Sequence, residues 1–285
     1  MSDRLKSAKK KKELAPTGID EIDVLAALSE CTIHDYVTGV SAYVRRGSNL
    51  NPSRKKAAQI RLSKALARSL ADELATRIPQ VKNRLITDER KVAGGLRTVN
   101  ADVSESHELD GLRLAVELKP INLAVGRAIW NRFGDIRTFA VNIHLKFPFA
   151  VVGGVLVIPT YEETGTKAAR KAEQLEEVVA EDKASLFDLE EDLASAVEHD
   201  NETQSVQPRR KSTTHLIDKA IARLIRAGGR KSEADAAHLL EGIAVIVYDP
   251  ETGTIDQNLP KPESGLRWED CISDLAIAYQ SRFED

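Results

Sequence analysis

A chain of 285 residues, 42% hydrophobic and 30% charged, has the composition of an ordinary soluble protein and room for one large α/β domain with embellishments, or for two domains. Its longest apolar run, Phe147 to Pro159, is too short to cross a bilayer and is interrupted by Gly153-Gly154, which excludes a membrane helix there. The net charge of −3 conceals a polarity: residues 1–100 carry +9, 101–160 are neutral, 161–210 carry −8 and 211–285 carry −4. A basic face for phosphates can therefore coexist with an acidic lobe turned to solvent.

The N-terminus is a polar tail with lysines at 9 to 12. It lacks an apolar stretch, so no secretory signal is expected. The two cysteines, Cys31 and Cys271, lie far apart without metal spacing and fit a reducing compartment. The expectation is a cytoplasmic protein with no membrane partner. Short helices are expected at Ile19–Leu28 and Ile33–Val44, then a loop from Gly47. Pro52-Ser53 opens a long helix through Ile78, which Pro79 ends. Ile60, Leu62, Leu66, Leu70, Leu74 and Ile78 form its buried stripe. Arg54, Lys55, Lys56, Arg61, Lys64 and Arg68 crowd its first half, either as a solvated face or as a track for a DNA backbone. Glu73 near its end is read as a surface residue, with a contribution to an active site as the lesser alternative.

Arg97 to Val103 has the β-branched content of a strand, and Leu112 to Leu118 is an apolar run that fits a buried one. Between them, His107 to Gly111 is a turn, because Asp110-Gly111 tolerates positive φ. With the hairpin centred between Leu109 and Asp110, Asp102 falls opposite Glu117. Cross-strand partners have Cβ atoms about 5 Å apart on one face. Alternation puts Lys119 on that face too and turns Leu118 away. Asp102, Glu117 and Lys119 are thus expected to converge.

A crossover helix is expected at Leu123–Arg137, with Asn131-Arg132 and Asp135 near its end as a packing ion pair or, less favoured, a phosphate contact. Strands are expected at Phe139–Lys146, carrying His144 as a packed residue, and at Ala150–Ile158. Thr164 to Asp200 reads as an acidic helical insertion followed by a polar linker, His199–Ser212. A helix at Thr213–Arg226 is closed by Gly228-Gly229. Gly242–Tyr248 is a strand that returns to the main sheet, and Trp268–Phe283 is a final helix. The division is a helical N-terminal segment (1–50), a core with the basic helix and hairpin (51–160), the acidic insertion and linker (161–212), and a helix-strand-helix that completes the core (213–285). No Gly-rich phosphate loop, nucleophile elbow, zinc-finger spacing or internal repeat is present.

Two close carboxylates repel each other unless a cation compensates. Mg²⁺ is the natural one, being content with one or two carboxylates plus waters and substrate phosphate. Asp102, Glu117 and the backbone carbonyl of Leu118 are the candidate metal ligands. Lys119 is the candidate for holding the attacking water and neutralising the phosphate. The bland alternative is a surface ion pair between Glu117 and Lys119, worth roughly 0–1 kcal/mol.

This pattern resembles the PD-(D/E)XK nuclease superfamily, whose core carries an Asp on one strand and (D/E)xK on the next. Asp102 would be the first acid and Glu117-Leu118-Lys119 the second element, with Ala101 where a proline is usual. A second register, Asp110-x6-Glu117-x-Lys119, looks like the spacing of the mismatch-repair nicking endonuclease. Asp110 is the runner-up because the turn needs it. The stretches Asn131–Ile136, Val141–Pro148 and Ala150–Pro159 look like the segment C-terminal to ELK in several type II restriction endonucleases. The resemblance covers about residues 96–160. It implies an α/β fold with a mixed central sheet flanked by helices, Mg²⁺-dependent cleavage of double-stranded DNA and a homodimer. A nicking or repair nuclease with the same site, and a non-catalytic DNA-binding module, remain as alternatives.

Overall fold

The structure is a computed structural model that describes residues 31–46, 52–122, 124–164 and 209–284. Among these residues the helices are α1 (Ile33–Arg46), α2 (Pro52–Arg77), α3 (Val125–Lys146), α4 (Thr214–Ile225) and α5 (Trp268–Phe283). The strands are β1 (Arg90–Ala93), β2 (Thr98–Ala101), β3 (Val103–His107), β4 (Gly111–Pro120), β5 (Val151–Pro159), β6 (Tyr161–Thr164), β7 (Arg209–Ser212), β8 (Gly242–Asp249) and β9 (Thr254–Ile255). The central sheet is mixed and five-stranded, in the order β3-β4-β5-β8-β9. β3 and β9 run antiparallel to their neighbours, whereas β4, β5 and β8 are parallel. Parallel neighbours need crossovers, and α3 and α4 lie in the two connections that supply them.

Both faces of the sheet are covered. One buries Val116, Leu118, Val155, Val157, Ala244 and Ile246 against α1, α2 and α5. The other buries Ala115, Val152, Leu156, Val245 and Val247 against α3 and α4. A strand covered on both sides reads as an unbroken apolar run rather than an alternating one, and β5 is buried throughout. Its two glycines set the layer spacing. A Cβ on Gly153 would meet Leu275 of α5 at 3.1 Å, and one on Gly154 would meet Ile136 Cγ2 of α3 at 2.6 Å. The missing side chains let a helix close down on each face at mid-strand.

Several expectations are corrected. The strand expected at Phe139–Lys146 is the second half of α3, which runs to Lys146. Ile136, Phe139, Ala140 and Ile143 are all buried, with the i, i+3, i+4, i+7 spacing of one helix face. His144 therefore lies on a helix. In α2 the stripe holds except at Ile60, which is 48% exposed. The strand expected at Arg97–Val103 is broken at Asp102, and β2 pairs with β1 in a separate ribbon. The end of the expected linker forms β7, which pairs with β6. The lysine run at 9–12, the expected helix at Ile19–Leu28, the loop at 47–51 and the acidic segment 165–208 lie outside the described residues. Among the described residues no helix is long and apolar enough to cross a membrane.

Candidate active site

The hairpin departs from the expected register near its turn, and its ladder stops at Val103, one residue short of Asp102. Beside the turn, Ser106 faces Leu112 and His107 faces Gly111, so the hairpin centre lies at Leu109. A bulge between Glu105 and Ser106 leaves Arg113 as an extra residue on β4, after which Glu105 faces Leu114 and Val103 faces Val116. The ladder ends there, and Asp102, a bend residue just outside it, lies near enough for its charge to bear on Glu117. Bulges of this kind shift the ladder by one residue and re-aim a side chain.

At Asp102 the chain leaves β4. Its N–H still donates to the Val116 carbonyl at 3.1 Å, but the residues before it turn aside into the β1–β2 ribbon. The edge of β4 is thereby opened at Leu118. The Asp102 side chain takes over the next rung, with its Oδ2 accepting from the Leu118 N–H at 2.7 Å. In an extended strand a residue's N–H and C=O project to the same edge, so the Leu118 carbonyl points to the side on which Asp102 sits.

Glu117 faces the α3 layer and is 8% exposed. Its neighbour on β5 is Gly154, where Ile136 occupies the space a side chain would fill. Asp135, one residue earlier on α3, brings a further negative charge to bear on Glu117. Lys119 Nζ forms an ion pair with Glu117 Oε1. Burial pushes the Glu117 carboxyl up to about 7, the charges of Asp102 and Asp135 add to the rise, and Lys119 opposes it. Asp102 is raised as well, first by burial and further by Glu89, against the Leu118 N–H and Lys119. The patch therefore gathers Asp102, Glu117 and Lys119 and is bordered by Glu89 and Asp135.

Among the described residues no three His, Cys, Asp or Glu side chains form a group able to hold a metal. Asp102, Glu117 and the Leu118 carbonyl nevertheless form a hard-oxygen set of the size Mg²⁺ accepts when water and phosphate complete its shell. Burial, with the charges of Asp102 and Asp135 added, raises the Glu117 carboxyl, and a divalent cation would offset that cost, so the residues present fit such an ion.

Other candidates are placed elsewhere. Asp110 sits in the hairpin turn, paired with Arg113, roughly 23 Å from Glu117 along the strand. Glu73 accepts from the Trp268 indole N–H at 2.7 Å, on the layer opposite Glu117. Arg132 and Asp135 form an ion pair at 3.2 Å in the middle of α3, not at its end. His144 is buried, its Nδ1 donating to the Ala237 carbonyl at 2.9 Å. Helix α2 packs on the face opposite Glu117, yet Lys64 reaches Asp88 at 2.8 Å, beside Glu89. Exposed Arg90, Lys91 and Arg97 lie on or beside the β1–β2 ribbon, and Arg90 faces Ala101, next to Asp102. Sequence reasoning expected the strand that holds β2 but passed over β1 and Glu89. Four-residue strands with a single buried side chain on β1, Val92, carry little pattern.

No protein-family model, curated protein or solved structure gives a significant match to this chain.

Proposed function

We propose that the chain is a Mg²⁺-dependent endonuclease acting on double-stranded DNA, with Asp102 and Glu117 as metal ligands and Lys119 as the residue that works on water and phosphate. The observation that carries this reading is the juxtaposition of Asp102 and Glu117 across the end of the β3–β4 ladder, with Lys119 two residues on. Asp102 binds the Leu118 N–H at 2.7 Å and Lys119 binds Glu117. The PD-(D/E)XK pattern asks for this arrangement, on a β-hairpin followed by a helix and a parallel strand. Sequence specificity of the type II restriction kind and a homodimer belong to the same proposal, since cutting both strands of a palindrome calls for two sites.

A divalent ion held by Asp102 and Glu117 would supply a Lewis acid for the scissile phosphate and a water of lowered pKa. The protein residues do the rest. Asp102 and Glu117 hold the charge in place. Lys119, two residues on from Glu117, would hold the attacking water and offset charge building on the phosphate oxygens. Water adds to phosphorus, one P–O ester bond breaks, and the leaving oxygen takes a proton. Lys64, Arg90, Lys91 and Arg97 offer cations to the flanking phosphates.

The test is cleavage of plasmid and phage DNAs with Mg²⁺ or with EDTA, beside Lys119→Ala. Discrete fragments that need Mg²⁺ and vanish in the variant support a specific nuclease. Nicked circles alone select the nicking or repair enzyme. DNA binding without Mg²⁺-dependent cleavage selects the non-catalytic module.

A further inference from the structure

The other end of β4 holds a second assembly that owes nothing to Glu117. A cavity of about 410 Å³ opens between the hairpin turn and the C-terminal ends of α3 and α5. Arg113, Lys146 and Arg282 line it, together with Phe147, Phe149 and Phe283, and Asp110 is the acid in its wall. Arg113 lies four residues before Glu117, roughly 13 Å away along the strand.

The charges here do not balance. Arg282 reaches from the cavity to Glu241, its Nη1 forming an ion pair with Oε1 at 2.8 Å and donating to the Ala150 carbonyl at 3.0 Å. Arg230 Nη1 donates to the same Oε1 at 2.7 Å. The side chains of Glu241 and Arg230 are 0% and 1% exposed, and that of Arg282 10%. One carboxylate thus stands against two guanidiniums in a place that water scarcely reaches. Arg282 Nη2 is buried and has no acceptor among the described residues. A buried charge is tolerated when a partner compensates it, and an anion in the cavity beside Arg282 and Lys146 would be that partner. Arg113 is held ready, paired with Asp110 and lying 5.0 Å over the Phe283 ring. Phe149 is 56% exposed and adjoins these cations.

We propose that this cavity binds a mononucleotide, its phosphate on Arg282 and Lys146 and its base against Phe147 and Phe149. Guanidinium and ammonium groups select phosphate, aromatic faces select the base, and the volume lies in the small-molecule range. The site needs no metal and is independent of the nuclease reading.

The test is isothermal titration of the full chain in EDTA with a nucleoside 5′-monophosphate, the matching nucleoside, inorganic phosphate and a single-stranded oligonucleotide. Saturable binding of the monophosphate is expected, about tenfold tighter than that of nucleoside or phosphate. Lys146→Ala and Phe149→Ala change exposed residues and leave the fold intact. Each should weaken binding about tenfold, whereas Lys119→Ala should leave it unchanged. Absence of saturable binding, equal binding of inorganic phosphate, binding of the oligonucleotide alone, or indifference to both cavity variants would overturn the proposal. Cleavage plays no part in the readout, so loss of the nuclease reading leaves this result untouched.

Discussion

The carboxylate of Asp102 replaces a backbone rung: its Oδ2 accepts from the Leu118 N–H at 2.7 Å where β3 gives out and the edge of β4 opens. This one bond holds the acid at the edge of β4 and gives the Leu118 N–H an acceptor.

Asp102→Ala should therefore show two losses. Leaving the partly buried Leu118 N–H without an acceptor costs about 1–3 kcal/mol in a denaturant titration. Cleavage, on the proposed reading, should fall by on the order of 100-fold or more. Asp102→Asn keeps an acceptor oxygen but not the charge. It should recover most of the stability and none of the activity. An Asn variant that cleaves DNA like the wild type would remove Asp102 from the metal site.

Glu117 predicts a pH dependence with a defined sign. Its folded-state pKa is raised from an ordinary 4.5 to about 7, so the native state keeps a proton that the unfolded chain releases. The native state binds more protons in that window, and stability falls as pH rises from about 4.5 to about 7. The full loss is on the order of 3 kcal/mol at most. Glu117→Gln is neutral throughout. In EDTA it should be more stable than the wild type at pH 8 and match it near pH 4. Thermal melts across this range check the point. Added Mg²⁺ should stabilise the wild type at pH 8 and leave the Gln variant unmoved. A wild type indifferent to Mg²⁺ would count against the metal site.

Legibility in the sequence tracked how local the signal was. Pro52 and Pro79 bracket α2, and α5 begins and ends at Trp268 and Phe283 as its pattern indicates, because stops and periodicity are written in neighbouring residues. The approach of Asp102 to Glu117 was also legible, although the ladder stops short of pairing the two. The bulge at Arg113 offsets a turn centred half a residue from the expected position, so the two departures cancel as far as Val103 and Val116. Phe139–Lys146 misled because Val141-Asn-Ile-His-Leu alternates like a strand, while the helical spacing that decides the matter begins further back, at Ile136. The approach of Glu89 and Asp135 to the acids was not legible at all. It depends on where the ribbon turns and on how closely α3 settles over Gly154, and both are properties of packing.

That settling can be tested directly. A Cβ on Gly154 would lie 2.6 Å from Ile136 Cγ2, so Gly154→Ala should push α3 off the sheet and cost about 1–3 kcal/mol. Ile136→Val alone removes a methyl group from the core and costs about 0.5–1.5 kcal/mol. Combined, the two should cost less than their sum, since the shortened side chain makes room for the new methyl. A double-mutant cycle by urea denaturation measures the coupling. Strict additivity would mean that another neighbour receives the added atom.

Glu241 is the remaining test of the charge arrangement at the far end of the sheet. Its carboxylate accepts from Arg230 and from the Val152 N–H at 2.8 Å, pairs with Arg282 at 2.8 Å, and lies 3.3 Å from His144 Nε2. These cations and donors outweigh the rise that burial alone would bring and hold its pKa below the ordinary glutamate value. A group lowered in this way contributes stability that is complete above its unfolded pKa and is lost as pH falls through the folded one. Replacing it strands two buried guanidiniums, so Glu241→Ala should cost about 3–5 kcal/mol at neutral pH. Arg230→Ala leaves Glu241 and Arg282 as a balanced pair and should cost clearly less. Equal losses from the two variants, measured by chemical denaturation at pH 7, would mean that the excess positive charge is neutralised within the protein itself.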